Sequence, residues 1–352
     1  MCFFIHIKKG VNMKINMLSE TINIKNGKEI AGNGVHSAFL DVYNSLKKIP
    51  NIEVHINSKK ECDIIHSHTI GPKYFFMTRK KKYKTLVSAH VVSDSMVGSI
   101  ILSKYWLPLF KWWIKKAYNR ASTVLAVSPN VKNDLEKMKI KSKIVFLPNS
   151  INREKFKKNR EEGLKFRERY NINSKDFVIL SVGQIQTRKG VKDFVEVAKK
   201  FPDIKFVWCG NRPFGKATSG YQETENLIKN SPSNVIFTGF VERDEMNKVL
   251  NMSDLFFFPS FQENHPVALI EAASCNIPLL LRDIPEYEPT FFDNYLKGKN
   301  NDDFIKLIDK CFKNRNFLKE YEILSENIAK IYDVKVIVEK LLKEYEEVRN
   351  NY

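Results

Sequence analysis

Two acidic side chains, Glu263 and Glu271, stand eight residues apart in the run Pro259-Ser-Phe-Gln-Glu-Asn-His-Pro-Val-Ala-Leu-Ile-Glu271, directly after the apolar stretch Leu255 to Phe258. Pro266 suits the first turn of a helix, where its missing N–H has no partner to lose, so a helix is expected to open at Val267 and Ala268. Glu263 then stays on the loop and Glu271 falls inside the helix. The amides of a helix start favour phosphate, a carboxylate before the helix can grip sugar hydroxyls, and one within it can take a ribose diol. An isolated pair of this kind is more often a cap-region acid and a surface acid; the order strand, loop, proline, helix argues against that here.

A second run, Gly183-Gln-Ile-Gln-Thr-Arg-Lys-Gly190, follows the apolar stretch Phe177 to Val182. Gly183 is expected to permit a tight strand exit. Arg188 and Lys189 bring two cations to the same edge, although such a pair alone is usually solvated surface. Departure of a nucleoside diphosphate leaves charge on its outer phosphate, and fixed cations stabilise that charge as it develops. Two charge-assisted contacts at about 1.5–3 kcal/mol each supply about 3–6 kcal/mol. The chain has no Asp-x-Asp to hold a divalent ion on a diphosphate, so neither metal nor cofactor is expected. Nor is there a complete dinucleotide fingerprint. Gly32-x-Gly34-x-x-Ser37 comes closest, but it lies thirteen residues beyond the strand candidate ending at Leu18.

The elements that must position these residues are short apolar runs alternating with amphipathic stretches, the pattern of an α/β fold with parallel sheets. Strands are expected at 14–18, 52–56, 63–66, 85–89, 123–127 and 144–147, then at 177–182, 205–209, 235–238, 255–258 and 278–281. Residues 152–173 are rich in Lys, Arg, Glu and Asn and read as a linker plus a solvated helix. The reading is therefore a first domain over 1–155 and a second over 170–325. A terminal helix over 333–352 has an apolar face of Val334, Ile337, Val338, Leu341, Leu342 and Tyr345.

Charge is uneven. Residues 1–150 carry 25 Lys and Arg against 9 Asp and Glu, a net of +16, while the remainder carries 33 against 31. Such crowding points to a polyanionic partner, either a nucleic acid or an anionic membrane. Five scattered cysteines without a CxxC pair suit reduced thiols in a cytoplasm. Met1 to Ile7 is followed by Lys8 and Lys9, the reverse of a secretory signal, and residues 1–12 read as an added tail before Met13. No stretch reaches the length of a membrane span.

Taken together, the paired Glu263 and Glu271, the Gly183 to Gly190 loop, Leu147-Pro-Asn-Ser-Ile-Asn152, Ala126-Val-Ser-Pro129 and Asp63-Ile-Ile-His-Ser-His68 resemble glycosyltransferase family 4, retaining enzymes of the GT-B fold. The resemblance spans about residues 13–350, and its motifs are specific as a set. It implies two Rossmann-like domains facing a central cleft, with the terminal helix returning to the first. It also implies Glu263 on the donor sugar, Glu271 on the ribose, Arg188 and Lys189 on the diphosphate, and the Val267 and Ala268 region beside the donor. His90, closing a strand, matches the family histidine beside the transferring sugar, and Gly34 matches the glycine loop that approaches the donor. Two positions depart from the pattern. Gln184 stands where many members carry Arg, and Asn264-His265-Pro266 replaces Gly-Phe-Gly, which bears on donor-sugar identity.

The segment Gly98 to Arg120 holds three of the four tryptophans interleaved with cations, and Arg79-Lys-Lys-Lys82 lies just before it. Bulky amphipathic rings beside cations fit a helix in a headgroup region, so Lys80, Lys81, Lys82, Trp106, Lys111, Trp112, Trp113, Lys115 and Lys116 are the membrane and acceptor candidates. A core helix packed on the sheet would explain the tryptophans but not the charge. Together with Ser88 to Asp94 and Arg282 to Pro289, these features resemble the bacterial glycosyl-diacylglycerol synthases. That resemblance implies transfer of glucose or galactose from UDP-glucose or UDP-galactose to diacylglycerol or a monoglycosyl-diacylglycerol, peripherally on the inner face of the cell membrane. A polysaccharide or cell-wall acceptor is the alternative. Nucleic-acid binding would use the charge, but no nucleic-acid motif accompanies it.

Overall fold

The computed structural model describes residues 12–22, 34–79, 83–92, 103–212, 215 and 220–350, leaving aside the side chains of 103–106. Within them the chain forms two compact units, one of residues 12–92, 105–150 and 332–350, the other of residues 151–331.

The first unit runs β1 (Met13–Leu18), α1 (Gly34–Leu46), β2 (Ile52–Ile56), β3 (Ile64–Ser67), α2 (Pro72–Met77), β4 (Lys84–Ala89), α3 (Ser103–Tyr118), β5 (Thr123–Ala126), α4 (Pro129–Lys137) and β6 (Lys143–Phe146). Its six strands are parallel in the order β2-β1-β3-β4-β5-β6, with Ile15 opposite both Val54 and Ile64. The central strands are buried on both faces, which is why they read as continuous apolar runs and not as alternation. α4 starts where Ser128 Oγ accepts the Val131 N–H at 3.2 Å and Pro129 occupies the first turn. Strand order reverses direction beside β1, so a crevice is expected at the carboxyl ends of β1 and β3.

The second unit runs α5 (Arg160–Glu168), β7 (Val178–Val182), a 3-10 turn (Thr187–Lys189), α6 (Val191–Ala198), β8 (Lys205–Cys209), α7 (Tyr221–Lys229), β9 (Val235–Gly239), α8 (Met246–Asn251), β10 (Leu255–Phe258), α9 (Val267–Ser274), β11 (Leu279–Arg282), α10 (Glu288–Phe291), β12 (Leu296–Gly298), α11 (Asn301–Lys313) and α12 (Arg315–Ile331). Its parallel order, β12-β11-β10-β7-β8-β9, is the doubly wound arrangement with its switch point between β7 and β10. Phe194, Trp208, Phe257 and Phe304 fill the core by edge-to-face and stacked contacts, and Trp208 Nε1 donates to Gly183 O at 3.0 Å. The last helix, α13 (Val334–Asn350), buries Ile337, Leu341 and Tyr345 against α1 and the sheet of the first unit.

The expected strands form, with ends shifted by a residue or so. Three-residue β12 was not anticipated, because Lys297 between Leu296 and Gly298 leaves too short a pattern. The charged linker reading over 152–173 needs correction. α5 packs on α8, and Arg167 is fully buried, donating to Met252 O at 2.7 Å and to Asp254 at 3.0 Å. A charge satisfied internally is indistinguishable in sequence from a solvated one, so the second unit begins at Ile151, well before residue 170.

Candidate active site

The loops leaving β7 and β10 meet at the switch point of the second unit. Gly190 has φ +75°, and a Cβ there would lie 2.2 Å from Pro259 O, so only glycine lets the two loops touch. They are then stitched together. Phe261 N–H donates to Arg188 O at 2.9 Å, Arg188 Nη1 donates to Gln262 O at 3.2 Å, and Ser260 Oγ donates to Glu263 Oε1 at 2.7 Å. Lys189 Nζ closes the contact as an ion pair with Glu263, both side chains being nearly buried. Burial pulls the Lys189 ammonium below its ordinary range, and the Glu263 carboxylate pulls it back.

Gly183 does not carry the role expected of it. A Cβ there would meet Phe258 at an ordinary 3.6 Å, whereas at Gly210, with φ +140°, it would lie 2.1 Å from Gly183 O. The demand for glycine sits one strand over. Gln184 is half-buried beside this loop, and Arg188 reaches Gln186 Oε1 at 3.1 Å as well as Gln262.

Beyond the loop, Pro266 precedes α9 with extended backbone, and the Val267 and Ala268 amides come before the first intrahelical bond, from Leu269 N–H to Pro266 O. Glu271 is buried within α9. Its Oε1 accepts from Arg243 Nη1 at 2.6 Å, and Arg243 lies on the loop after β9. His265 is buried with its ring 6.3 Å from that of Phe291.

Sequence reasoning missed Arg243 and gave Arg282, quoted only within the run Arg282 to Pro289, no role at the site. Arg282 closes the buried strand β11, donates to Pro259 O at 3.0 Å and Lys299 O at 3.1 Å, and pairs with Asp193 in the first turn of α6. Its guanidinium lies 3.8 Å from the Phe261 ring centroid. It therefore joins the β10 loop to the helix that follows Gly190. An arginine ending an otherwise aliphatic strand was the available signal.

In the first unit, His90 directly follows β4. Its Nε2 lies 3.2 Å from His68 Nδ1, while His66 bonds Tyr345 Oη at 2.6 Å through Nδ1 and Ser88 Oγ at 2.9 Å through Nε2. Burial drops His66 to about 3, with the neighbouring His90 adding to the shift, and drops His90 to about 4; His68 falls well below its ordinary value for the same reason. All three are neutral at neutral pH, so His90 offers a hydrogen bond and not a positive charge. Gly34 opens α1, and His36 Nδ1, in its first turn, lies 3.1 Å from Thr21 Oγ1.

On α3 the two adjacent tryptophans part company. Trp113 turns inward, packing on Phe75 with centroids 4.2 Å apart and donating to Ile70 O at 2.8 Å. Trp112 turns outward at 54% exposure, with Lys116 Nζ 4.7 Å over its ring and Leu109, Lys111 and Lys115 also exposed. Lys80, Lys81, Lys82 and the side chain of Trp106 lie outside the described residues. Among the described residues, no helix is long and apolar enough to cross a membrane and no group of three His, Cys, Asp or Glu is placed to hold a metal.

Residues 164–331 match the family model for glycosyl transferases group 1, and residues 29–155 match that for glycosyltransferase family 4. An alpha-galactosylglucosyldiacylglycerol synthase from Streptococcus pneumoniae is 29% identical over 341 residues, which cover 95% of this chain and 90% of that protein. A processive diacylglycerol alpha-glucosyltransferase from Acholeplasma laidlawii is 29% identical over 323 residues, covering 90% and 94%. Among solved structures, sucrose-phosphate synthase from Thermosynechococcus elongatus superposes with a TM-score of 0.80 at 13% identity over 97% of this chain and 100% of that one. Anabaena HepE in complex with UDP and glucose gives 0.72 at 16% identity over 95% and 99%. At these identities the structures speak to fold alone.

Proposed function

The chain is a family 4-like glycosyltransferase of GT-B fold, and on that premise we propose that it moves glucose or galactose from a UDP-sugar to diacylglycerol or a monoglycosyl-diacylglycerol. The observation that carries this acceptor is likeness along nearly the whole chain to two enzymes named for diacylglycerol glycosylation. In this reading Glu263 takes hydroxyls of the donor sugar and Glu271 the ribose diol. Arg188, Lys189 and the Val267 and Ala268 amides take the diphosphate, so that cations and a helix start do the work of a divalent ion. Neutral His90 donates or accepts one hydrogen bond beside the transferring sugar, and Gly34 lets the start of α1 come near the donor.

The anomeric configuration is retained in this proposal. As the bond from the anomeric carbon to the diphosphate breaks, the acceptor hydroxyl attacks from the same face, and its proton passes to the departing phosphate oxygen. No protein nucleophile is required. The outward face of α3, with Trp112, Lys111, Lys115 and Lys116, rests on the anionic inner face of the cell membrane. At about 1 kcal/mol per basic residue, three lysines raise affinity by roughly two orders of magnitude, enough for reversible docking.

The test supplies purified protein with labelled UDP-glucose or UDP-galactose and mixed micelles of diacylglycerol or its monoglycosyl form. A labelled glycolipid whose new linkage has the donor's anomeric configuration is expected. Intact donor with no glycolipid under all four combinations would refute the acceptor, and an inverted product would refute the mechanism.

A further inference from the structure

A carboxylate is expensive to bury unless its lone pairs are met, and Glu271 has a side-chain exposure of only 5%. Its partner Arg243, at 14%, reaches it through a single contact, Nη1 to Oε1 at 2.6 Å, and not through the two-pronged fork common for this pair. Among the described residues no other hydrogen bond reaches the carboxylate. Oε1 is therefore committed and Oε2 keeps its accepting capacity.

Arg243 is itself held. Its guanidinium carbon lies 5.2 Å from the ring centroid of fully buried Phe156, whose carbonyl accepts from Ser274 Oγ at 2.5 Å. Ser274 ends α9, the helix that carries Glu271, so Glu271, Arg243, Phe156 and Ser274 form a closed circuit. Asp244, next to Arg243, pairs with Lys155, next to Phe156, at 2.8 Å and ties the same two segments at the surface.

We propose that Arg243 is a positioning residue for nucleotide recognition: by occupying one oxygen of Glu271 it fixes the other to accept from the ribose 2′- and 3′-hydroxyls, and so sets discrimination against 2′-deoxynucleotides. The inference rests on the reading that Glu271 takes the ribose. A purely scaffolding Arg243 would affect all nucleotides alike, and a positioning one affects the ratio.

The experiment measures binding of UDP and 2′-deoxy-UDP by calorimetry to the full chain, to R243M, R243K and E271Q, each checked for folding by its melting profile. Wild type is expected to prefer UDP by tenfold or more. R243M should weaken UDP about tenfold and shrink the preference to threefold or less, with R243K restoring part of it. An R243M that loses affinity for both nucleotides equally, or that keeps the full preference, overturns the proposal; R243K decides the same question should R243M not fold. E271Q separates the two layers. If it abolishes the preference while R243M does not, Glu271 reads the ribose unaided and only the Arg243 proposal falls. If E271Q keeps the preference, the ribose reading falls and takes the proposal with it.

Discussion

Lowering the pH from 7.5 to 5 should loosen the first unit, because the fold holds three imidazoles neutral that the unfolded chain would protonate. His66 and His90 are brought from 6.5 to about 3 and about 4, chiefly by burial. Between these values and 6.5 the unfolded chain binds protons that the native one refuses, so the stability is complete above pH 6.5 and falls as the pH drops. At pH 5 each unfolded histidine lies 1.5 pH units below its midpoint, which at 1.36 kcal/mol per unit is a loss of about 2 kcal/mol each, or about 4 kcal/mol together. His68 adds in the same direction. Against a typical total stability of about 5–15 kcal/mol this is a large share.

Hydrogen exchange of peptides covering β3 and β4, corrected for intrinsic rates and followed at both pH values, reads the loss directly. His66→Gln should lower the starting stability, since the Tyr345 and Ser88 contacts change, but it should flatten the pH dependence by about a third, one of three buried imidazoles being removed. A wild-type change below about 1 kcal/mol, or a His66→Gln profile as steep as wild type, would refute the buried neutral array.

Gly190→Ala forces a left-handed alanine against Pro259 O and should cost about 2 kcal/mol or more, visible as a lower melting temperature and a turnover reduced at least tenfold. Lys189→Ala should raise donor KM or lower turnover at least tenfold; near wild-type kinetics would remove it from the diphosphate site. Glu263→Gln removes the carboxylate that keeps Lys189 charged, so the alkaline limb of kcat/KM should move to lower pH, and an unmoved limb would show the ion pair to be incidental. Neutralising Lys111, Lys115 and Lys116 to Gln together should weaken binding to anionic liposomes about a hundredfold, at about 1 kcal/mol each, without changing donor binding, as sedimentation at low and physiological salt can measure.

The strands were legible because both sheets are parallel and covered on both faces, which leaves runs such as Leu255 to Phe258 with no polar interruption. The position of Glu263 and Glu271 was legible because Pro266 marks a helix start by its own stereochemistry. What escaped was everything that depends on a partner far along the chain. Arg167 reads as one charge in a solvated helix, and only the fold brings it to Asp254, 87 residues away. Trp112 and Trp113 are equivalent in sequence, and the turn of one helix sends them in opposite directions. Gly183 looked required because it follows a strand, yet backbone demand depends on what approaches, and the approach falls on Gly190 and Gly210.

Three nearly buried cation–carboxylate pairs lie on the loops and strand ends around the second switch point: Lys189 with Glu263, Arg243 with Glu271, and Arg282 with Asp193. Apolar residues of similar size would often be as stabilising, so stability is a weak account of all three. Their remaining bonding capacity separates them. Arg282 spends its guanidinium on Pro259 O, Lys299 O and Asp193 beneath Phe261, which leaves it holding loops and nothing else. Arg243 leaves one oxygen of Glu271 available. Lys189 has three N–H donors and, among the described residues, one hydrogen-bond partner, Glu263, so two donors remain. A diphosphate placed there would meet a cation whose charge is already secured by a carboxylate and whose position is fixed by glycine-dependent loop contact. Charge development on the leaving phosphate then requires little reorganisation of the site, which is the condition under which fixed charges accelerate a transfer most.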